Sequence, residues 1–567
     1  MTNYRPISLL PIFSKVFEKI IFKNIYNHLI SNNLISTNQS GFRPADSCTN
    51  QLLSLVHDIQ NAFNDVNCLE VRSVYLDMSE AFDKAWHEGL IFKLKQNGVD
   101  GKLLCLLKNY LNQRVQRVLI NGFESDWGDI QSGVPQGSVL GPLLLLIYVN
   151  DLEKGIRSNI KFFADDTSLF SIVKDPLISA NNLNYDLNLI KDWAIQWKMN
   201  FNPDPDKPAE EVLFSLKRKE EINHPPLFFN NTMVKRVDDH KHLGLILDSK
   251  LNFKKHINEK ISTARKWIGI IKQVSPYLPL NSLIQIYKMH IRPHLDYCDV
   301  IFHLPSQAND LNSSLSLNST MNIIERTQYQ AALAVTGAWQ GSNRNKIYEE
   351  LGWETLDLRR HFHQLVMFYK IMNGLTPMYL KSPITERTRF SSRLPPQIPC
   401  ILSRTEKFYN SFYPNTIRSW NNLDPTIRCS PTLSLFKKRL VNIIRPTKKE
   451  IFNVVDCQGL KWIFQLRLKL SPLKSHKKRH NFADMENDSC WCSNSSETTY
   501  HFFLICLRYN AIRLTLFDHI KSVLLPNNIN FDDINLIKLL LYGHEELNFS
   551  ENRKILESSI KFINLSG

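Results

Sequence analysis

The sequence predicts an α+β fold, and three observations support that class. Short strand-like apolar runs at residues 71–76 and 160–173 alternate with longer helical patterns, without the regular spacing of strand–helix–strand units. Beyond about residue 250, helical periodicity dominates. The 567 residues are 43% hydrophobic and 11% aromatic, which is enough for several folded cores.

Charge and cysteine usage narrow the class of protein further. A formal net charge of +15 favours a polyanionic partner, with nucleic acid as the default and a merely basic soluble protein as the alternative. The ten cysteines are mostly isolated in the sequence, so their spacing indicates no disulfide framework. A reducing compartment fits best. The longest apolar run, residues 139–149, is too short to cross a bilayer, and the N-terminus has no signal core. An intracellular soluble protein is expected.

The first half of the chain alternates helices, strands and turns. Apolar periodicity and turn residues predict the following elements in order: a helix over 7–30, a turn from Asn38, a helix over 52–63, a strand over 71–76 that ends at Asp77, and a helix over 90–111. Next come a β-hairpin over 115–130 around Asn121-Gly122, a glycine-rich loop over 131–142, and helices over 143–152 and 183–197. A turn-rich loop at 202–208 leads into a strand over 212–216.

The second half is predicted to be mainly helical. Helices are expected over 256–274, 280–291, 321–338 and 361–372. Residues 306–319 are polar and low in complexity, so an exposed loop is expected there. Residues 385–430 are rich in Pro, Arg, Ser and Asn, which predicts irregular structure or a linker.

Adjacent carboxylates at Asp165-Asp166 stand between two strand-like runs, so a β-hairpin with acids at its tip is expected. Most adjacent aspartates are solvated turns, which is how we interpret Asp238-Asp239 and Asp532-Asp533. Asp77 closes its own strand and can reach the hairpin tip if the two strand segments pair. Its alternative is a helix N-cap. Convergent carboxylates of this kind indicate a divalent metal site.

Three segments around these acids resemble motifs A, B and C of reverse transcriptases, in order and at ordinary separations. They are residues 75–87 (YLDMSEAFDKAWH), 132–142 (SGVPQGSVLGP) and 163–166 (FADD). Residues 3–10 and 40–44 resemble fingers motifs of the non-LTR retrotransposon branch, 202–215 resembles motif D, and 242–248 resembles motif E at the primer grip. Residues 291–297 and 412–423 are similar to segments of jockey- and CR1-like elements.

The resemblance implies a right-hand polymerase with fingers, a palm with an antiparallel sheet, and a helical thumb, followed by a mostly helical C-terminal region. Its implied domains are fingers and palm at 1–250, thumb at 251–345, a connection region at 346–445 and a C-terminal region at 446–567. The implied reaction is attack of a primer 3′-hydroxyl on a dNTP, directed by an RNA template.

The same resemblance assigns roles to single residues. Asp77 and Asp165 would ligate two Mg²⁺ ions, with Asp166 as an electrostatic helper. Phe82 stands at the steric-gate position that selects dNTPs, and its alternative is an ordinary core phenylalanine. The remaining assignments are Gln136 and Gly137 in the pocket for base and sugar, Lys207 as proton donor to pyrophosphate, and Arg43 as a contact to the triphosphate. For Lys207 and Arg43 the alternative is a solvated surface charge.

A second cluster of metal-binding residues lies near the C-terminus. Three cysteines and one histidine, namely Cys490, Cys492, His501 and Cys506, fall within a short segment and could hold one tetrahedral Zn²⁺. The segment is similar to the C-terminal Cys-Cys-His-Cys region of non-LTR reverse transcriptases, although its Cys-x-Cys start is unusually tight. The alternative is a set of buried cysteines. The basic residues 474–480 before it predict a nucleic-acid-binding platform, or else a solvated charge run.

The resulting prediction is an RNA-directed DNA polymerase of a non-LTR retrotransposon, with an RNA template, a DNA primer and dNTPs as partners. Alternatives are a viral-type RNA-dependent RNA polymerase, a template-binding protein without catalysis, and a catalytically inactive remnant of the element. The resemblance begins at residue 3, so a truncated element product without the upstream endonuclease is expected. By family resemblance, the protein is expected in nucleus and cytoplasm.

Overall fold

The computed structural model of the chain describes residues 7–112, 114–201, 209–217, 223–302, 320–384, 397–444, 457–482, 485, 487–492, 495–527, 529–531 and 535–566. Asn3, Arg5, Lys207, the predicted loop at 306–319 and Asp532-Asp533 lie outside these residues. The described chain divides into two compact units. Residues 1–256, 300–302 and 364–429 form the first, and residues 257–299, 303–363 and 430–567 form the second.

All strands among the described residues lie in the first unit. In chain order they are β1 Glu70–Asp77, β2 Arg114–Gln116, β3 Leu119–Ile120, β4 Phe123–Glu124, β5 Gly128–Ile130, β6 Asn159–Phe163, β7 Asp166–Val173, β8 Glu210–Phe214, β9 Phe228–Phe229, β10 Thr232–Met233, β11 Lys235–Val237, β12 Asp239–His242 and β13 Leu245–Asp248.

The helices occur in both units. Up to residue 302 they are α1 Ile12–Ser31, α2 Cys48–Asn64, α3 Ala81–Lys84, α4 His87–Gln96, α5 Gly101–Leu111, α6 Leu140–Val149, α7 Pro176–Gln196, α8 Lys254–Val274, α9 Leu280–Ile286, α10 Arg292–Asp296 and α11 Asp299–Phe302. Thereafter they are α12 Thr320–Thr336, α13 Arg344–Leu351, α14 Leu356–Met372, α15 Glu406–Tyr409, α16 Phe412–Asn421, α17 Pro425–Arg428, α18 Leu433–Ile444, α19 Cys457–Arg467, α20 Lys474–Arg479, α21 Asn510–Leu524, α22 Leu536–Tyr542 and α23 Phe549–Ser566.

A five-stranded sheet organises the first unit. Its strand order is β11-β8-β1-β7-β6, and every neighbouring pair is antiparallel except β11 with β8. The central strand β1 is buried along nearly its whole length and emerges only at Asp77. Helix α6 is apolar on all sides and buried, so it fills the core between the sheet and helices α1, α4 and α7. Asp77 is therefore the exposed residue at the end of an otherwise buried strand.

Two features of the first unit confirm local turn signals. The hairpin predicted around Asn121-Gly122 is present as β3–β4 inside the longer β2–β5 ribbon. Asn121 and Gly122 both have positive φ, at 50° and 87°, which is the type I′ geometry that an Asn-Gly pair favours. The strand predicted over 71–76 and the hairpin predicted over 160–173 are also present, with bounds shifted by a few residues.

Two predicted elements were wrong. The single helix over 90–111 is two helices, α4 and α5, because Asn97 caps α4 and Gly98 takes a positive φ of 81° that ends the turn. The irregular segment predicted over 385–430 contains α15, α16 and α17 in its described part. Phe408, Tyr413 and Ile417 are buried there, and their helical spacing was masked by the Pro- and Ser-rich composition.

Apart from an isolated bridge between Ser489 and Ser496, the regular secondary structure described in the second unit is helical. Helix α23 packs against α19, α21 and α22, and its buried face carries Ile555, Leu556, Ile560 and Ile563. This confirms the mostly helical C-terminal region. Among the described residues, no helix combines the length and the apolar character that a membrane span requires.

Candidate functional site

Three aspartates lie near one another where strand β1 ends and strand β7 begins. Antiparallel pairing of β1 with β7 places Asp77 directly opposite Asp166. Residues opposite each other on antiparallel strands direct their side chains to the same face of the sheet. Asp165 occupies the turn that leads into β7. The predicted pairing of the two strand segments is therefore confirmed, and it brings together the residues on which the metal prediction depends.

The hairpin tip is a two-residue turn. Phe163 pairs with Asp166, so Ala164 and Asp165 alone connect β6 to β7. Of these two turn residues, Ala164 has a positive φ of 59°, the pattern of a type II′ turn. Glycine normally fills that position, and an alanine there stores roughly 1–2 kcal/mol of backbone strain. Such strain persists only where neighbouring structure holds the turn.

The neighbouring segment 38–41 supplies that support. The backbone of Ser40 donates to the Phe162 carbonyl (2.9 Å), and Phe162 donates to the Asn38 carbonyl (2.9 Å). Gln39 is buried, and its side-chain oxygen accepts from the backbone N–H groups of Gly41 (2.8 Å) and Ala164 (3.0 Å). A side chain on Gly41 would place its Cβ 2.3 Å from the Ala164 nitrogen, so only glycine fits this approach.

Burial and the neighbouring carboxylates change the pKa of Asp166. Burial, followed by the negative charges of Asp165 and Asp77, raises the pKa of Asp166 from its ordinary value to about 7. Asp77 is exposed and Asp165 is half-buried. Negative charges held close together repel one another, and a bound cation would reduce this repulsion. Carboxylate oxygens are also the ligands that a divalent metal prefers.

The glycine-rich loop before α6 docks onto α3. The backbone of Val134 donates to the Phe82 carbonyl (2.6 Å), and Ser132 Oγ donates to the Asp83 carbonyl (2.9 Å). Gln136 Nε2 donates to both Asp83 carboxylate oxygens, at 2.9 and 2.8 Å. These contacts connect the segment that follows Asp77 to the glycine-rich loop, so the two predicted motifs form one surface.

The chain before α1 approaches the glycine-rich loop so closely that position 137 requires a glycine. Gly137 has a φ of 98°, and a Cβ on it would lie 2.9 Å from the Ser8 carbonyl oxygen. The Ser8 N–H donates to the Gln136 carbonyl (2.7 Å). The chain before α1 therefore packs directly on Gln136-Gly137.

Neighbouring residues contact the side chains of Phe82 and Arg43 and hold them in position. The Phe82 ring is half-buried and meets the edge of Phe42, with ring centroids 5.9 Å apart. Arg43 donates from Nη1 to the carbonyls of Ser36 (2.9 Å) and Gln39 (3.3 Å). Lys207 lies outside the described residues. The roles predicted for these three side chains stay predictions.

A cavity of about 340 Å³ adjoins the carboxylates. Asp77 and Asp166 line one part of it, and His240 and His242 of β12 line another. Tyr75 stacks on His240, with ring centroids 4.1 Å apart, and lies 5.0 Å from His242. The segment that resembles motif E is thus packed beside the end of β1.

Two residues of this site were missed from sequence. Gln39 and Asp83 each contact a site residue far away in the chain, Ala164 and Gln136 respectively. Asp83 stands inside the motif at 75–87 and Gln39 directly precedes the motif at 40–44, but only the folded chain reveals their partners. No local sequence signal identifies these distant partners, although Gln39 lies two residues before Gly41.

The second unit contains a compact thiol–imidazole cluster. One ligand atom from each of Cys490, Cys492, His501 and Cys506 lies within 4.8 Å of all the others. His501 Nε2 is 3.1 Å from Cys492 Sγ, and Cys490 Sγ is 3.8 Å from Cys506 Sγ. Burial and the neighbouring thiols raise the pKa of Cys506 to about 12. The four predicted ligands are brought together, with a donor set and a spacing that fit tetrahedral Zn²⁺.

Comparison with known proteins gives a match over the N-terminal part of the chain. Residues 1–207 match the family model described as reverse transcriptase (RNA-dependent DNA polymerase). Among solved structures, the apo telomerase of Candida tropicalis is similar, with a TM-score of 0.33 and 12% identity over 56% of this chain and 50% of that one.

Curated relatives extend the match. The chain is 29% identical over 370 residues to the probable RNA-directed DNA polymerase from transposon X-element of Drosophila melanogaster, covering 63% of this chain and 38% of the relative. It is 29% identical over 308 residues to the RNA-directed DNA polymerase from mobile element jockey of the same species, covering 52% and 32%. For transposon BS the identity is 30% over 271 residues, covering 46% and 29%.

The chain thus spans about a third of the length of the curated relatives it matches. The matched region includes Asp77, the glycine-rich loop and the Asp165-Asp166 hairpin described above. Residues 1–207 therefore match the reverse transcriptase family, and the chain is similar to the RNA-directed DNA polymerases of non-LTR retrotransposons.

Proposed function

We propose that this chain is an RNA-directed DNA polymerase that extends a DNA primer along an RNA template with dNTPs. The observation that carries the proposal is the direct pairing of Asp77 with Asp166 across β1 and β7, with Asp165 in the adjoining turn. The family match over residues 1–207 supports the same reaction class. Action on chromosomal DNA would place the protein in the nucleus as well as the cytoplasm.

Asp77 and Asp165 are the proposed Mg²⁺ ligands, with Asp166 as their electrostatic helper. The donor set fits, because the strand register places the Asp77 carboxylate opposite Asp166 with Asp165 in the adjoining turn, and carboxylate oxygens are the ligands that Mg²⁺ prefers. Burial, followed by the charges of Asp165 and Asp77, raises the pKa of Asp166, and a bound divalent cation would relieve the charge repulsion. Two bound Mg²⁺ ions would supply Lewis-acid activation of the primer 3′-hydroxyl and charge stabilisation on the leaving pyrophosphate. The protein's own contribution is to hold the carboxylates in position through the β1–β7 register and the 38–41 segment.

Neighbouring residues would shape the nucleotide pocket. Asp83 holds the Gln136 amide through two hydrogen bonds, which orients the side chain proposed to face base and sugar. Phe82 is anchored by the Val134 N–H at its carbonyl and by Phe42 at its ring, so its position is well defined for excluding a ribose 2′-hydroxyl. Arg43 is the proposed contact to the triphosphate and Lys207 the proposed proton donor to pyrophosphate.

The thiol–imidazole cluster is proposed to hold one structural Zn²⁺. Its residues would be Cys490, Cys492, His501 and Cys506. The Nε2 atom of His501 lies 3.1 Å from the Cys492 sulfur and within 4.8 Å of the other two sulfurs, so this nitrogen faces the three thiols as a ligand would.

Primer extension tests the polymerase proposal. Purified full chain would be incubated with a labelled DNA primer on an RNA template, dNTPs and Mg²⁺, and compared with Asp165→Ala. Asp192→Ala is the matched control, since Asp192 is an exposed aspartate on α7. Extension by the wild type and the control, with loss of at least about 10²-fold in Asp165→Ala, is expected for removal of a metal ligand.

The rival functions give different outcomes. Equal extension by wild type and Asp165→Ala would remove the catalytic assignment. Preference for rNTPs over dNTPs would favour an RNA-dependent RNA polymerase. Template binding without extension in any variant would favour the catalytically inactive remnant.

A further inference from the structure

Trp491 is the most exposed tryptophan in the part of the chain that the structure describes. It stands between Cys490 and Cys492, and 83% of its surface is accessible, whereas Cys490 and Cys506 beside it are buried. The Lys474 Nζ atom lies over its ring, 4.1 Å from the centroid. The same Nζ donates to the Ser489 carbonyl at 2.8 Å, which leaves further N–H donors of the ammonium group for another acceptor.

A basic helix face runs along the segment that bears Trp491. Lys474 and Lys478 are one turn apart on α20 and therefore share a face. Lys478 Nζ lies 3.4 Å from an Asp488 carboxylate oxygen, so both lysines reach residues 488–491. Lys477 and Arg479 add positive charge to the same helix.

The Trp491 segment is held in place by its own backbone. Cys490 N–H donates to the Ser495 carbonyl (2.8 Å), and Glu497 N–H donates to the Asp488 carbonyl (2.7 Å). The Glu497 carboxylate also accepts from the Lys474 backbone N–H at 3.0 Å. The indole is therefore presented on a supported segment, so little conformational entropy is lost when a ligand stacks on it.

These features together fit one class of ligand. An exposed aromatic ring next to cations offers stacking to a nucleic-acid base and charge to its phosphates. An apolar protein partner that covered the indole would also have to desolvate the Lys474 ammonium, which is costly without a counter-charge. A polyanion supplies that counter-charge, and the bases of a single strand are free to stack.

We propose that Trp491, Lys474 and Lys478 form a binding site for single-stranded nucleic acid in the second unit. One base stacks on the Trp491 ring, and the two lysines contact flanking phosphates. The proposal draws its ligand class from the proposed polymerase function, but it concerns a surface that the polymerase chemistry does not use.

The test uses the full chain and a fluorescein-labelled 12-nucleotide oligouridylate, with an oligothymidylate and a 12-base-pair duplex as parallel probes. Binding would be measured by anisotropy for the wild type, Trp491→Ala, Trp491→Phe and Tyr277→Ala. Tyr277 is an equally exposed aromatic residue of the same unit, at 81%. An oligouridylate carrying 5-iodouracil would be photocrosslinked in parallel and its attachment site mapped by mass spectrometry.

We expect Trp491→Ala to weaken single-strand binding about tenfold, while Trp491→Phe and Tyr277→Ala stay within about twofold of wild type. The crosslink should map to the peptide that contains Trp491, and the duplex should bind with no dependence on this residue. The two single strands separate an RNA-specific site from a general one. Unchanged binding in Trp491→Ala, or a crosslink that maps only to other peptides, would overturn the proposal.

Primer extension on the same samples keeps the two proposals apart. Trp491→Ala should extend a saturating primer–template at the wild-type rate. If the wild type itself does not extend, the polymerase proposal fails while the anisotropy and crosslinking results still decide the Trp491 site. Unchanged far-ultraviolet circular dichroism and zinc content in Trp491→Ala would exclude unfolding as the cause of weaker binding.

Discussion

The Gln39 side-chain oxygen connects two segments 125 residues apart by accepting from the backbone N–H of Ala164 at 3.0 Å. Gln39→Ala removes this acceptor and leaves a buried N–H at the tip of the carboxylate hairpin. We expect a loss of about 1–3 kcal/mol in unfolding free energy and a slower extension rate. Denaturant unfolding and single-turnover extension would measure the two effects.

Gln39→Met separates the hydrogen bond from the packing of the side chain, because methionine keeps a similar length without the acceptor oxygen. It should remain less stable than the wild type by about 1–3 kcal/mol even though the volume is kept. Wild-type stability and wild-type extension in Gln39→Ala would contradict a supporting role for this residue.

Gly41→Ala tests the close approach of the 38–41 segment to the hairpin. The added Cβ would lie 2.3 Å from the Ala164 nitrogen, so the two backbones must separate. We expect a loss of about 1–3 kcal/mol, as for other overpacked sites. Gly128→Ala is the control, since the nearest atom to its added Cβ is 3.9 Å away. Equal melting temperatures for the two variants would argue against the approach.

Phe82→Ala should change sugar selection rather than abolish extension. Removing the ring opens space where a ribose 2′-hydroxyl would otherwise clash, so rNTP incorporation should rise by at least about tenfold relative to dNTP incorporation. Steady-state incorporation of matched dNTP and rNTP would give this ratio. Phe42→Ala is the control for lost ring packing, because Phe42 meets the Phe82 edge. An unchanged ratio in Phe82→Ala would make Phe82 an ordinary core residue.

Metal analysis tests the thiol–imidazole cluster. The purified chain should carry one Zn²⁺, and Cys490→Ser should lose it and lower the unfolding temperature of the second unit, because structural zinc contributes directly to folding. Cys105→Ser serves as the control, since Cys105 is exposed and lies in the first unit. Equal zinc content in Cys490→Ser and wild type would place the metal elsewhere.

Acid should destabilise the first unit through His57. Its ring packs between Phe408 and Tyr413, and burial lowers its pKa to about 4, below the ordinary value of 6.5. Between pH 6.5 and 4 the unfolded chain therefore binds a proton that the folded chain does not, so stability falls as pH falls through this window. Thermal unfolding from pH 7 to 5 should fall less steeply in His57→Phe. Parallel curves would exclude this contribution.

Local signals predicted the elements that carry the carboxylates. The apolar strand that ends at Asp77 and the hairpin around Asp165-Asp166 follow from alternation and turn chemistry within a few residues, and both are present. The partners of Gln39 and Asp83 depend on packing between distant segments, so no local sequence pattern could predict them. The helix at Phe412–Asn421 was missed because its Pro, Ser and Asn content outweighed the spacing of Tyr413, Ile417 and Trp420.

The buried ion pair Arg72–Glu211 has a consequence for the alignment of the carboxylates. Arg72 Nε lies 2.6 Å from Glu211 Oε1, and Arg236 reaches the same carboxylate at 3.2 Å, so the charges span strands β1, β8 and β11. A slip of one residue in β1 would turn Arg72 and Asp77 to the opposite faces of the sheet. An apolar replacement of Arg72 and Glu211 could preserve stability and still permit that slip. A change of register would leave these buried charges unpaired, so the Arg72–Glu211 pair opposes it and keeps Asp77 facing Asp166.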